Sequence, residues 1–152
     1  MSACGISHVA GEPENIAYLT LHFADKLIAH IHVNWLAPVK VRRTLVGGSR
    51  KMIVYDDLEP SEKLKVYDKG ISVAPGPEDV YRMLVSYRSG DMWAPRLDNT
   101  EALQTEALHF IDCIENNKQP ETDGPAGLRM INMIEAAETS LRERGRLVEI
   151  QW

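Results

Sequence analysis

The sequence predicts an α+β domain: a mainly antiparallel, open-faced β-sheet with helices packed on one face. Three observations predict it. Apolar residues alternate at every second position through the first two thirds of the chain, then recur at steps of three and four. The connections between alternating runs are short and rich in turn formers, which suits antiparallel pairing. Strands first and helices afterwards place the helices against the apolar side of the sheet.

The first pair of strands is the clearest. Ala17, Leu19, Leu21 and Phe23 alternate, and Leu27, Ala29, Ile31, Val33 and Trp35 resume the alternation after Ala24-Asp25-Lys26. A loop of those three residues sets Phe23 opposite Leu27, Leu21 opposite Ala29 and Leu19 opposite Ile31, so both apolar sets share one face. Ile31, Val33 and Trp35 are then expected to pack under the helices, with Trp35 as a core anchor. Tyr18, Thr20, His22, Ile28, His30, His32 and Asn34 fall together on the opposite, open face.

Further strands are predicted at Val41 to Val46, Met52 to Tyr55, Leu64 to Tyr67 and Val80 to Tyr87. Gly47-Gly48-Ser49 and Asp68-Lys69-Gly70 supply turn chemistry, and Ser72 to Glu78 reads as an exposed connection. From Glu101, the spacing of Leu103, Ala107, Phe110, Ile111 and Ile114 predicts a helix that ends before Pro120. Asp123 is the expected N-cap of a second helix with Pro125 in its first turn. Leu128, Ile131, Ile134, Ala137 and Leu141 form its expected buried stripe, Met130 and Met133 are assigned to core packing, and Gly145 stops the helix. Leu147 to Ile150 is expected to return as a short strand.

At 152 residues the chain is expected to be a single domain, 1–152, around one hydrophobic centre. A hydrophobic fraction of 44% and a charged fraction of 26% fit a soluble globular protein, and no apolar run is long enough to cross a bilayer. The amino-terminal stretch lacks the basic segment and apolar core of a signal peptide, so a cytoplasmic location is expected. A net charge of -5 argues against nucleic-acid binding. The basic cluster from Lys40 to Lys51 reads as an exposed strand and turn rather than a phosphate site. Cys4 and Cys113 have no paired spacing and are read as reduced, structural cysteines.

Motifs for autonomous catalysis are missing. There is no GxGxxG; Gly47-Gly48-Ser49-Arg50 and Gly124-Pro125-Ala126-Gly127 lack the strand, the glycine spacing and the following acid of a nucleotide site. No nucleophile elbow is present, although a spatial triad remains open. His22, His30 and His32 on one face raise zinc as an option. The register pairs His22 with Ile28 and His32 with Tyr18, which spreads the rings along the sheet, so no metal site is assigned. Asp56 and Asp57 are adjacent on a strand and face opposite sides, which suits a solvated turn better than a paired-acid site.

The linear order of several stretches resembles a known family. The runs Glu14-Asn15-Ile16-Ala17-Tyr18-Leu19-Thr20-Leu21-His22-Phe23, Ala29-His30-Ile31-His32-Val33-Asn34-Trp35-Leu36-Ala37-Pro38, Lys40-Val41-Arg42-Arg43 and Met52-Ile53-Val54-Tyr55-Asp56-Asp57 resemble the carboxy-terminal domain of the glucose-fructose oxidoreductase, inositol dehydrogenase and MocA (Gfo/Idh/MocA) family. Glu106 to Ile114, Pro120-Glu121-Thr122-Asp123-Gly124, and Ile134 through Ser140-Leu141 to Val148-Glu149-Ile150 resemble its closing helices and strand. Trp35 to Pro38, Tyr55-Asp56-Asp57 and Tyr67-Asp68-Lys69-Gly70 are most similar to its bacterial nucleotide-sugar dehydrogenase branch.

The resemblance implies a substrate-side and oligomerisation domain whose NAD or NADP sits on an amino-terminal Rossmann domain outside this chain. The family's EKP lysine and Asp-x-Gly-x-His segment are not in this sequence; Glu12-Pro13 and Glu59-Pro60 do not replace them. The chain is therefore expected to be a domain of a larger oxidoreductase acting on a sugar or nucleotide sugar, inactive alone, with no catalytic or cofactor residues of its own. Candidate substrate contacts are His32, Asn34, Trp35, Lys40 and Arg42, since amide and imidazole groups suit hydroxyls, indole suits a sugar face and cations suit a diphosphate. Candidate oligomer contacts are Tyr18, Thr20, His22, His30 and His32, making a homo-oligomer through the open face. The competing reading is a non-catalytic, self-associating sheet module.

Overall fold

The computed structural model describes residues 1–73, 85–98 and 100–152. They form two compact units, Met1–Pro38 with Glu101–Trp152, and Val39–Thr100. No composition shift in the sequence marks that division.

In the first unit, β1 (Ser2–Ile6), β2 (Ile16–His22) and β3 (Ile28–Asn34) make an antiparallel sheet in the order β1-β2-β3. Leu21 faces Ala29, Leu19 faces Ile31, and the Phe23 amide donates to the Leu27 carbonyl, the register expected from alternation and a three-residue loop. Asp25 and Lys26 adopt left-handed backbone angles, which matches the turn to the strand twist.

Two helices complete this unit: α1 (Ala102–Glu115) and α2 (Gly124–Arg142). Asp123 caps α2 as expected, its Oδ1 accepting the Ala126 amide at 2.8 Å with Pro125 in the first turn. At the other end Gly145 is left-handed and its amide donates to the Ser140 carbonyl, turning the chain back.

The core lies between α2 and the sheet. Met1, Ala3, Leu21, Ala136 and Ala137 are buried together, with Leu19, Ala29, Met133, Leu141, Val148 and Ile150 around them. Small residues set this geometry: Ala3 on the strand meets Ala136, Ala137 and Ser140 on the helix, so the two backbones approach closely. Ser140 is fully buried, accepts the Ala3 amide at 2.8 Å and donates to the Arg146 carbonyl at 2.7 Å. At Gly5 a Cβ would lie 2.8 Å from the Ile16 carbonyl oxygen and 3.1 Å from Leu141.

Several expectations about packing are corrected. On α2 Met133, Ala137 and Leu141 pack on the core as expected and are joined by Ala136 and Ser140, whereas Leu128, Met130, Ile131 and Ile134 are exposed. The helix is rotated toward its small residues because these permit the close strand contact. On α1, Leu103, Phe110, Ile111 and Ile114 are exposed and only Cys113 is buried. Trp35 is not a core anchor: it is 90% exposed, and Ile31 and Val33 are about half exposed at 44% and 50%. The strand order explains this, since α2 packs on β1 and β3 is the strand farthest from it. Leu147 to Ile150 forms no regular strand; it is tied to Met1 by reciprocal Val148 and Met1 backbone bonds of 2.8 and 2.5 Å.

In the second unit, β4 (Arg43–Gly47), β5 (Met52–Asp56), β6 (Leu64–Tyr67) and β9 (Met92–Trp93) form an antiparallel sheet in the order β4-β5-β6-β9. β7 (Gly70–Val73) and β8 (Val85–Arg88) pair separately. The described strands thus form three antiparallel sheets rather than one continuous sheet. The run after Asn34 carries Pro38, which has no amide hydrogen to extend a ladder. The strand expected from Val80 to Tyr87 lies outside the described residues as far as residue 84, as does the exposed connection from residue 74 to 78; Ser72 belongs to β7.

Candidate functional site

Antiparallel pairing places cross-strand partners on one face, so the register builds two rows across the sheet: Ser2, Thr20 and His30, then Cys4, Tyr18 and His32. The open polar face expected from alternation is present, and Tyr18 is 53% exposed on it. Tyr18 and His32 stack with ring centroids 4.5 Å apart and planes 7° from parallel. Thr20 Oγ1 and His30 Nδ1 are 3.1 Å apart. His22 stands opposite Ile28 at the end of the ladder. The imidazoles are thereby held on separate neighbours, and among the described residues no three His, Cys, Asp or Glu side chains form a group that could hold a metal.

Asn34 Oδ1 accepts the Leu36 amide at 2.9 Å, which turns the chain at the end of β3 and leaves the side-chain NH2 group to donate elsewhere. Beyond it the indole of Trp35 projects into solvent, while its backbone amide is held by the Asn15 carbonyl at 2.8 Å. His32, Asn34 and Trp35 therefore follow one another along an exposed strand end. Lys40 and Arg42 belong to the other unit.

There, two ion pairs link the start of β4 to the end of β5. Arg43 and Asp56 are cross-strand partners with a 2.6 Å contact, and Arg42 reaches Asp57 at 3.3 Å. Tyr55 donates its hydroxyl to Asp57 Oδ1 at 3.1 Å, and Lys63 lies 3.7 Å from the same oxygen. The Tyr55 hydroxyl and then the Arg42 guanidinium hold the Asp57 carboxyl below the usual carboxylate range. Asp56 is lowered by Arg43 and then by the Leu58 amide, and the Tyr55 hydroxyl is pushed up because it donates to Asp57. Asp56, the last residue of β5, and Asp57, in the turn that follows, thus serve separate ion pairs. Lys40 lines a shallow cleft of about 230 Å³ with Val41, Arg43, Asp56, Leu58 and Glu59.

Three features escaped the sequence reading. Lys51 Nζ sits 4.7 Å above the Trp93 ring, a pairing of residues far apart in sequence. Cys4 is exposed on the polar face, because β1 carries small residues that gave no alternation signal. His109 Nε2 accepts the Glu121 amide at 3.3 Å and lies 3.5 Å from the buried Cys113 sulfur, tying α1 to the segment that follows it. The i, i+4 spacing of His109 and Cys113 is the one signal that could have found that contact.

Every described strand pairing is antiparallel. A dinucleotide is ordinarily held where a parallel βαβ crossover brings a glycine-rich turn to a helix N-terminus. The described residues do not form that arrangement.

The architecture is one that solved dehydrogenase chains share. Two structures match with high similarity, both of the UDP-N-acetylglucosamine 3-dehydrogenase GnnA from Acidithiobacillus ferrooxidans, in two crystal forms. One has a TM-score of 0.70 at 16% identity over 93% of this chain, the other 0.68 at 18% identity over 93%. The chain spans 39% and 41% of those chains, about two fifths of their length. At these identities the likeness is one of fold. No family model matches the chain, and no curated protein matches it. No described helix is long and apolar enough to cross a membrane.

Proposed function

We propose that this chain is the substrate-side and oligomerisation domain of a cytoplasmic, NAD- or NADP-dependent oxidoreductase of Gfo/Idh/MocA type that acts on a sugar or nucleotide sugar. The observation that carries the reading is the fold likeness over 93% of this chain to two fifths of a UDP-N-acetylglucosamine 3-dehydrogenase. The ordered resemblance of the Glu14 to Asp57 and Glu106 to Ile150 stretches to the same family agrees with it. In this reading the dinucleotide is carried by a Rossmann domain outside this chain, and hydride transfer takes place there.

The chain's own residues bind and orient. His32 and the free amide hydrogens of Asn34 suit sugar hydroxyls, and the exposed indole of Trp35 suits stacking on an apolar sugar face. Lys40 and Arg42 are proposed diphosphate contacts; an anion must compete with Asp57 for Arg42. The open face of the three-stranded sheet is the proposed contact with a second subunit.

Isothermal calorimetry and a coupled absorbance assay on the purified chain test the assignment. Neither NAD(H) nor NADP(H) should bind, and no dehydrogenase turnover should appear. Stoichiometric dinucleotide binding, or turnover of any sugar substrate, would overturn it. A second reading, a non-catalytic self-associating module, is favoured by one observation: the exposed sheet face is uncharged from edge to edge.

A further inference from the structure

We infer that the turn end of the four-stranded sheet binds a small, hydroxyl-bearing phosphate ester: Lys51 and Ser49 hold the phosphate, Asp68 accepts from a ligand hydroxyl, and Val46 and Ile53 form the floor. The inference does not rest on the reading above. Its site lies at the opposite end of the β4–β5 ladder from the Arg42 and Asp57 pair, since the register runs from Arg43 and Asp56 at one end to Gly47 and Met52 at the other.

Several turns meet there. The β4–β5 turn closes on itself through the Gly48 amide, which donates to the Lys51 carbonyl at 2.9 Å. Gly70 stands against it: a Cβ there would lie 2.6 Å from the Ser49 carbonyl oxygen and 3.1 Å from Arg50 Cα. Gly90 packs in the same way on the link between β6 and β7, where a Cβ would overlap the Asp68 carbonyl oxygen, and the Asp68 amide donates to the Asp91 carbonyl at 2.8 Å. Backbone lies directly on backbone at both glycines, so the polar groups of these turns are fixed relative to one another before any ligand arrives. The turn carries no phosphate signature in sequence, because Gly70, Gly90 and Trp93 are remote from it.

These turns border a cleft of about 680 Å³ whose lining includes Val46, Ser49, Arg50, Lys51, Ile53 and Asp68. Val46 and Ile53 are cross-strand partners and supply a partly exposed apolar surface. The other side chains are a hydroxyl, two cations and the half-buried Asp68 carboxylate. Arg50 and Asp68 have interactions of their own within the chain and lend the cleft charge of either sign.

Lys51 decides the ligand. Its Nζ sits 4.7 Å over the Trp93 ring, and it enters none of the ion pairs among the described residues. The ring steadies the long side chain without accepting the hydrogen bonds that its ammonium can donate to an anion. An anion entering the cleft therefore meets a cation already held in place. Inorganic phosphate satisfies Lys51 and the Ser49 hydroxyl but sets its remaining negative oxygens beside Asp68. An ester replaces that edge with hydroxyls that donate to Asp68 and with C–H groups that lie on Val46 and Ile53.

A ¹H–¹⁵N NMR titration of the full chain at constant pH and ionic strength tests the inference, with α-D-glucose 1-phosphate, inorganic phosphate and D-glucose in separate arms. The ester should give saturable shifts at the Lys51 and Asp68 amides and the Trp93 indole; inorganic phosphate should bind at least about tenfold more weakly, and glucose should give none. Lys51→Gln should weaken the ester at least about tenfold. Lys51→Arg, which keeps the charge and its contact with indole, should retain binding, with the β5–β6 ladder signals unchanged in both variants. Failure of the ester to saturate, shifts centred on Arg42 and Asp57 instead, or a Lys51→Gln variant that binds as tightly would overturn the site. Inorganic phosphate bound as tightly as the ester would overturn the assignment of an ester to it.

Discussion

Ser140 is the residue on which the first unit's packing turns. Its hydroxyl accepts the Ala3 amide and donates to the Arg146 carbonyl, joining strand, helix and the returning chain at one buried point. Ser140→Ala removes both bonds and leaves the Ala3 amide and the Arg146 carbonyl without the hydroxyl, so chemical denaturation should report a loss of about 1–3 kcal/mol; an unchanged midpoint would contradict the bond's structural role. Gly5 is constrained differently. Gly5→Val should lower the midpoint by a further steric route, because its Cβ would press on the Ile16 backbone. In the second unit Asp57 is held low by Tyr55 and Arg42. Its folded value lies below its unfolded one, so its stabilising contribution is present above the ordinary carboxylate range and lost as pH falls through the folded value. Tyr55→Phe should raise the Asp57 titration midpoint in NMR, and no change would contradict the donor assignment. Neither Ser140 nor Gly5 was legible in the sequence: a serine in a helix and a glycine near a terminus carry no sign of the partner that fixes them.

The elements were easier to read than their orientation. The β2–β3 hairpin was legible because a period of two on both sides of a short loop admits only one register that keeps the apolar residues together. Both helices were legible for the same kind of reason, and Asp123 with Pro125 marked where α2 starts. On α2 Ala137, Leu141 and Met133 pack on the core as expected, and what failed was the amino-terminal part of the stripe. Leu128, Ile131 and Ile134 make the larger apolar stripe, yet close contact with β1 selects Ala136, Ala137 and Ser140, and hydrophobic size does not report that. Strand β1 itself escaped because Ser2, Ala3, Cys4 and Gly5 are small. Removing the α2 cap by Asp123→Ala should lower the thermal midpoint and weaken amide protection in the first turn, measured by hydrogen exchange. Protection unchanged at Ala126 would contradict the cap.

At the scale of the molecule, the two units differ in what they expose. The first presents an uncharged polar-aromatic sheet face and, on its helices, exposed Leu103, Phe110, Leu128 and Ile131. The second presents ion pairs at the ends of its strands. The open polar face was legible from alternation alone; the exposure of Trp35 was not, because its position continued an apolar row that only the strand order leaves uncovered. That exposure moves Trp35 from the core to the proposed substrate surface, beside His32 and Asn34. The most direct measurement of the proposed substrate-side role is a two-arm ¹H–¹⁵N NMR titration of the purified chain, with UDP-N-acetylglucosamine in one arm and NAD(H) in the other. The account predicts saturable shifts at His32, Asn34 and the Trp35 indole with the nucleotide sugar and none with the dinucleotide. Saturable shifts with NAD(H), or a nucleotide sugar that leaves those three residues unmoved, would contradict it.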